Sequence, residues 1–345
     1  MYNIFKDRHR RPRAAINWKG RSILRGIRPL DQQLLSRLRA EAPGAAAQAR
    51  AIGGTLYYGA QTGWFSDPAA CFDALLDDLR RAERRVWLAV PAIRPGVMWE
   101  TVLTVLRRKA ARGVDVRLLW DGRRSRLPIH EADQLELMRI RGRALYRGEL
   151  FRAILIDDGL LYVGDLQISD DRIGLRSRRG ACRAGAMRLR GSAAEAVCGR
   201  FLACFSDDPP APEVRPSQEY GYVCWTRDLT GTARNLILRA EHSVCLLAPR
   251  LTGPLRGALT LSAASGVAVH AVVGRLPRRA PPGVELLRFP GRVQGLACCA
   301  DGQTALISGG REGLWLHGRG AAEIESDLRN IPGLNAAASG YTLQA

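Results

Sequence analysis

Arg81-Ala-Glu-Arg-Arg-Val-Trp-Leu-Ala-Val-Pro91 is answered later in the chain by Arg239-Ala-Glu-His-Ser-Val-Cys-Leu-Leu-Ala-Pro249, with the same spacing from Arg to Pro. The match continues. Ala110-Ala-Arg-Gly-Val-Asp-Val-Arg117 returns as Ala263-Ala-Ser-Gly-Val-Ala-Val-His270. Each copy reads as an apolar strand, a helix closed by Gly, and a second strand. Two copies of one unit imply a duplicated fold with a pseudo-twofold interface where a site can sit. The repeat also lets each half be checked against the other for residues that carry chemistry.

Working outward from the first copy, Asp67-Pro68 starts a helix, because Asp accepts from free amides and Pro suits the first turn. Phe72, Leu75, Leu76 and Leu79 follow at helical spacing. Val86 to Val90 is a strand closed by Pro91, residues 98–112 a second helix, and Val114 to Trp120 a buried strand ahead of the Asp121-Gly122 turn. Ala153 to Ile156 and Leu160 to Val163 are strands around Asp157-Asp158-Gly159. Residues 207–218 hold four prolines and read as a linker. The expected divisions are therefore a basic arm and helix capped by Asp31 over 1–54, a first repeat over 55–206, the linker, and a second repeat over 219–345. Strands alternating with helices give an α/β class, with a mixed sheet covered on both faces, made twice.

Composition narrows the partners. The chain has 345 residues and a net charge of +19, carried almost wholly by arginine, with lysine only at Lys6, Lys19 and Lys109. Such a charge favours anionic partners: phospholipid surfaces or nucleic acid. From Met1 to Arg28 nine Lys or Arg residues face one acid, Asp7, with Tyr2, Phe5, Trp18 and several aliphatics among them. A stretch of that kind can lie on an anionic membrane surface or remain a solvated arm. No apolar run reaches the ~18 residues of a spanning helix, and the first residues lack a secretory pattern. The expected location is cytoplasmic, or peripheral on the inner membrane. The eight cysteines form no CxxC pair and sit at no zinc spacing, so no metal or other cofactor is expected. Cys298 and Cys299 read as strand packing.

Several segments resemble the phospholipase D superfamily, and within it the bacterial cardiolipin synthases. They are Phe72 to Val86, Lys109 to Gly122, Ala153 to Asp165 and Met187 to Phe201, with weaker echoes in the second half. The resemblance implies two phospholipase D-like repeats, each a mixed sheet flanked by helices, packed about a pseudo-twofold axis. It also implies a chemistry. The family's motif is His-x-Lys, four residues, then Asp, once in each half. One His attacks phosphorus, the other protonates the leaving group, and the lysines hold the phosphate oxygens.

Set on that motif, Asp157 puts Leu150 at the His position and Arg152 at the Lys position. A register one later gives Phe151, Ala153 and Asp158. In the second half Asp301 puts Gln294 at the His position and Leu296 at the Lys position. None of His9, His130, His242, His270 and His317 begins a His-x-Lys; His317-Gly-Arg319 is the nearest imitation. Where the family often has Gly-Ser-x-Asn, this chain has Gly164-Asp165-Leu166-Gln167, and Ser308-Gly309-Gly310-Arg311 in the second half. Arg152 and Gln167 are candidates for holding a phosphate. Asp157 and Asp301 read as turn-formers, or as groups orienting Arg152 or a ligand.

No residue is expected to catalyse by the family's route. Three readings follow: a catalytically degenerate, cardiolipin synthase-like protein that binds anionic phospholipid or acts beside an active enzyme partner; an active cardiolipin synthase with substitute residues; and a nucleic-acid-binding relative of the family's nucleases.

Overall fold

The computed structural model describes residues 56–58, 61–125, 134–146, 152–164, 166–172, 182–183, 185–191, 193–205, 222–310, 312–331 and 334–335. All fall in one compact unit spanning Ala49–Ala345. The basic arm, the Asp31-capped helix, the Pro-rich linker, His130 and Leu150 lie outside them.

After β1 (Leu56–Tyr58), the first repeat runs β2 (Gln61–Phe65), α1 (Pro68–Arg81), β3 (Arg85–Val90), α2 (Val97–Ala111), β4 (Asp115–Asp121), β5 (Arg141–Leu145), β6 (Ala153–Ile156), β7 (Leu160–Gly164), β8 (Cys182–Arg183), β9 (Ala186–Arg190) and α3 (Ala193–Phe205). The second runs β10 (Tyr222–Thr226), α4 (Leu229–Arg239), β11 (Ser243–Arg250), α5 (Gly253–Ala264), β12 (Ala268–Arg275), β13 (Val284–Arg288), β14 (Arg292–Val293), β15 (Ala297–Ala300), β16 (Thr304–Gly309), β17 (Glu312–His317), α6 (Arg319–Arg329) and β18 (Leu334–Asn335).

The local chemistry explains these starts. Asp67 accepts from Ala69 N at 3.1 Å and Ala70 N at 3.3 Å, with Pro68 in the first turn of α1. Asp228 caps α4 through Gly231 N at 2.9 Å. The continuous apolar runs of β3 and β11 are buried on both faces, as interior parallel strands must be.

The two sheets share one topology. The first is ordered β2-β9-β7-β6-β3-β4-β5. The second repeats it as β10-β17-β16-β15-β11-β12-β13, with β1 and β18 added at its two edges. In each sheet three neighbouring strands are parallel (β3, β4, β5; β11, β12, β13) and the other ladders antiparallel. Residues 56–58, read from sequence as the start of the first repeat, thus pair in the second sheet, through Leu56↔Cys224 to Tyr58↔Tyr222.

The inner faces of both sheets close on one core. Ala194, Val197 and Phe201 of α3 and the equivalent Ala321, Ile324 and Leu328 of α6 are buried in it together. Each helix also reaches the other half: α3 packs on β10, α6 on β2, and β7 meets its counterpart β16. That reciprocal exchange is what a pseudo-twofold axis produces. Polar contacts reinforce it. Trp64 of β2 donates to Asp327 of α6 at 2.9 Å, and Arg200 of α3 donates to Glu312 of β17 at 2.6 Å.

Candidate functional site

The two halves treat Asp157 and Asp301 alike. Asp157 and Asp301 both have left-handed backbones, with φ 51° and 54°. Asp tolerates that region when its short side chain is hydrogen-bonded locally. Each carboxylate gathers the three amides that lead into the first parallel strand. Asp157 accepts from Glu83 N at 3.1 Å, Arg84 N at 2.8 Å and Arg85 N at 3.2 Å. Asp301 accepts from Glu241 N at 3.0 Å, His242 N at 2.8 Å and Ser243 N at 2.8 Å. These aspartates are clamps on the helix-to-strand joint. Asp157 stands at the far end of β6 from Arg152, about 16 Å away at ~3.3 Å per strand residue.

At the opposite end, where β3 and β11 finish, Arg152, Gln167, Gln294 and Leu296 collect. Ligands of open α/β sheets characteristically bind outside the carboxyl ends of the strands. Gln294 and Leu296 lead into β15, and both are half-buried. Arg152 leads into β6 and is half-buried as well. Gln167 follows β7 and donates to Ser169 Oγ at 2.9 Å.

Between the halves stands Arg172, only 6% exposed. Its guanidinium donates to Gln167 Oε1 at 3.1 Å and also to Gln294 Oε1. One cation therefore joins Gln167 of the first repeat to Gln294 of the second. A turn holds it there: Arg172 N bonds Ser169 O at 2.9 Å, while Asp170 caps α2 through Val97 N at 3.2 Å and Met98 N at 2.9 Å. Asp171 lies 3.7 Å from Arg292 and 4.0 Å from Arg94. Burial pushes the Asp171 carboxyl up, but the Ser169 hydrogen bond and the charges of Arg94 and Arg172 outweigh it and hold it below the usual range. Ser308, equivalent to Gly164, donates from Oγ to Gly310 O at 3.2 Å and from its amide to Leu296 O at 2.7 Å.

The reading from sequence singled out Gln167 and Gln294 but missed Arg172. Only its place after Asp170-Asp171 marked it, and nothing local shows an arginine reaching across to a residue 122 positions away.

The described histidines stand elsewhere. Thr304 Oγ1 and His317 Nδ1 are 3.1 Å apart near the Asp301 end of β16; burial lowers the His317 pKa. His270 on β12 faces Glu285 Oε2 at 3.0 Å. His242 is exposed, beside the Asp301 clamp. Carboxamides are neither nucleophiles nor proton shuttles at ordinary pH, whereas a guanidinium flanked by amides can hold an anionic oxygen. The buried thiols are inert too: burial pushes Cys224 and Cys245 up to about 12. Among the described residues, no group of His, Cys, Asp and Glu could hold a metal ion, and no helix is long and apolar enough to cross a membrane.

No family model matches the chain. Relatives do. A cardiolipin synthase of Listeria welshimeri is 28% identical over 152 residues, 40% of this chain and 31% of that protein. An uncharacterized protein of Streptococcus mutans is 24% identical over 304 residues, 75% of this chain and 66% of its own length. The chain thus spans less than two thirds of these relatives. Among solved structures, the phosphatidylserine synthase of Haemophilus influenzae superposes with a TM-score of 0.59 at 11% identity, over 79% of this chain and 87% of that one. The polyphosphate kinase of Porphyromonas gingivalis gives 0.52 at 12% identity, over 81% and 49%. The structural likenesses show the fold. With the sequence likeness to the cardiolipin synthases, the chain is phospholipase D-like and cardiolipin synthase-like.

Proposed function

We propose that this chain binds an anionic phospholipid at the junction of its two repeats and does not transfer phosphatidyl groups by a two-histidine route. One observation carries the reading. Gln294 occupies the second half's His position and is held by Arg172 of the first half. A carboxamide there cannot attack phosphorus or protonate a leaving group. Arg152 and Gln167 supply donors for phosphate oxygens at the same mouth, and the +19 charge draws anionic surfaces toward the protein. The relatives' names support lipid as the anion, since cardiolipin and phosphatidylserine synthases handle phospholipids. An active enzyme partner would fit the same role.

Two assays test this on the full chain. Incubated with phosphatidylglycerol, it should yield neither cardiolipin nor phosphatidic acid; either product would mean that substitute residues catalyse. In flotation, it should rise with vesicles containing phosphatidylglycerol and stay behind with purely zwitterionic ones. Arg152→Gln, and separately deletion of residues 1–28, should each weaken that binding. Equal flotation on both lipids defeats the proposal. Salt-sensitive retention of short DNA without any lipid preference would move the reading to nucleic acid.

A further inference from the structure

The three parallel strands of the second sheet all end on an exposed arginine: Arg250 closes β11, Arg275 closes β12 and Arg288 closes β13. Arg250 and Arg275 are directly paired, and Arg288 pairs with Val273, two residues before Arg275. All three therefore share one face of the sheet. Like charges on neighbouring strands repel, so the row costs the fold stability. Among the described residues none of the three has a hydrogen-bonding or ion-pair partner for its side chain, nor do exposed Arg278 and Arg279 after β12. From Pro249 to Leu296 seven arginines are set against one acid, Glu285, which stands toward the other end of the strands, beside His270.

The first sheet has no such row. By the repeat, the counterparts of Arg250, Arg275 and Arg288 are Ala92, Gly122 and Ala144. The frame therefore does not require the arginines. Their position is also particular. β14, which holds Arg292 and leads into Gln294, packs across the ends of β11 and β12. Gly274, next to Arg275, lies so near β14 that an added Cβ would come within 3.3 Å of Val293. The row thus borders the junction of the repeats. At the corresponding strand ends of the first repeat two large apolar side chains stand in solvent, Val97 at 60% and Tyr146 at 62% exposure. A cationic edge beside exposed aliphatic and tyrosine side chains suits the headgroup layer of an anionic bilayer: charge attracts the surface, and the apolar groups enter the interface.

We infer that the strand-end face of the second sheet, led by Arg250, Arg275 and Arg288, docks the protein on an anionic phospholipid surface and turns the junction toward the headgroups. The choice of a lipid surface rests on reading the junction as a phospholipid site. Two measurements on the full chain separate face from site. Vesicles of equal parts phosphatidylglycerol and phosphatidylcholine report docking. Dihexanoylphosphatidylglycerol, kept monomeric, reports the junction. Arg250→Gln, Arg275→Gln and Arg288→Gln together should weaken vesicle partitioning about a hundred-fold, at roughly five-fold per charge near an anionic surface, and leave monomer affinity unchanged. Lys at the same three positions should retain most of the partitioning. Gln at the exposed Arg107, Arg108 and Arg112, toward the far end of α2, removes the same charge and should cost less than about five-fold. Equal losses from the two Gln triples would overturn the inference, because net charge would then suffice. Unchanged partitioning in the first triple would overturn it too, as would a loss that the Lys triple shares. Short DNA retained by the parent and released by the first triple, with vesicle binding intact, would reassign the face to nucleic acid. If the parent docks on vesicles through these arginines but does not bind the monomer, the junction reading fails and the docking face stands.

Discussion

Beneath α1 in the first repeat lies a buried charge, and beneath α4 in the second there is none. Asp78, 4% exposed, accepts from Tyr162 Oη at 2.5 Å and from Arg188 at 2.7 and 2.9 Å. Its counterparts by the repeat are Leu236, Leu306 and Trp315, all buried and apolar. The backbone is the same. Tyr162 pairs across the sheet with Arg188 as Leu306 does with Trp315. One frame thus accepts an ion pair or a hydrocarbon contact, provided that the charge brings all its partners. By contrast, the Asp157 and Asp301 clamps stayed identical, because they serve the backbone, which did not diverge.

The sharpest way to break this comparison is Arg188→Met. It leaves Asp78 buried without its cation, and the cost should be about 3 kcal/mol or more by urea unfolding. Exchanging the whole niche for its counterpart, with Asp78→Leu, Tyr162→Leu and Arg188→Trp together, should return stability to within about 1 kcal/mol of the parent. A triple variant as weak as the single one would show that the two niches are not interchangeable.

Next come the clamps. Asp157→Ala and Asp301→Ala each strand three amides and force alanine into a left-handed backbone. Each should cost about 2–3 kcal/mol, and by similar amounts. Asn at either position should recover part of the loss, since it tolerates that backbone and keeps an acceptor. A large inequality between the two sites would mean that the repeats fold with unequal dependence on this joint.

Acid should separate the halves more gently. Burial alone raises the Asp78 pKa, but hydrogen bonds from Arg188 and Tyr162 and the Arg188 charge outweigh it, and the net shift is downward from 3.8. A depressed carboxyl stabilises the fold above its unfolded value, and that contribution fades as pH falls below about 3.8. The parent should therefore lose more melting temperature between pH 6 and pH 3 than the triple variant does. Parallel curves would mean that Asp78 contributes no acid sensitivity. The smallest effect is expected at the crossing between halves. Trp64→Phe removes one hydrogen bond to Asp327 and should cost about 1 kcal/mol.

Much of the frame could be read from the chain. Periodicity gave the strand over Val86 to Val90, observed as Arg85–Val90, and the helix over 98–112, observed as Val97–Ala111. The Asp67-Pro68 start and the turns at Asp157 and Asp301 were legible for the same reason: each rests on neighbours in sequence. What escaped depends on closure. Nothing near residues 56–58 says that they cross to the second sheet, since an edge strand's partner is fixed by what the rest of the sheet leaves open. Arg172 looked like one arginine among many until the halves met and set it between Gln167 and Gln294.

By itself the sequence determined a doubled α/β unit and the lack of any His-x-Lys pair, because a repeat and a missing residue pattern are properties of residue order. The tertiary structure alone decided what fills the junction and which arginine reaches it. Those are matters of distance between residues far apart in the chain, and only the packed core fixes such distances.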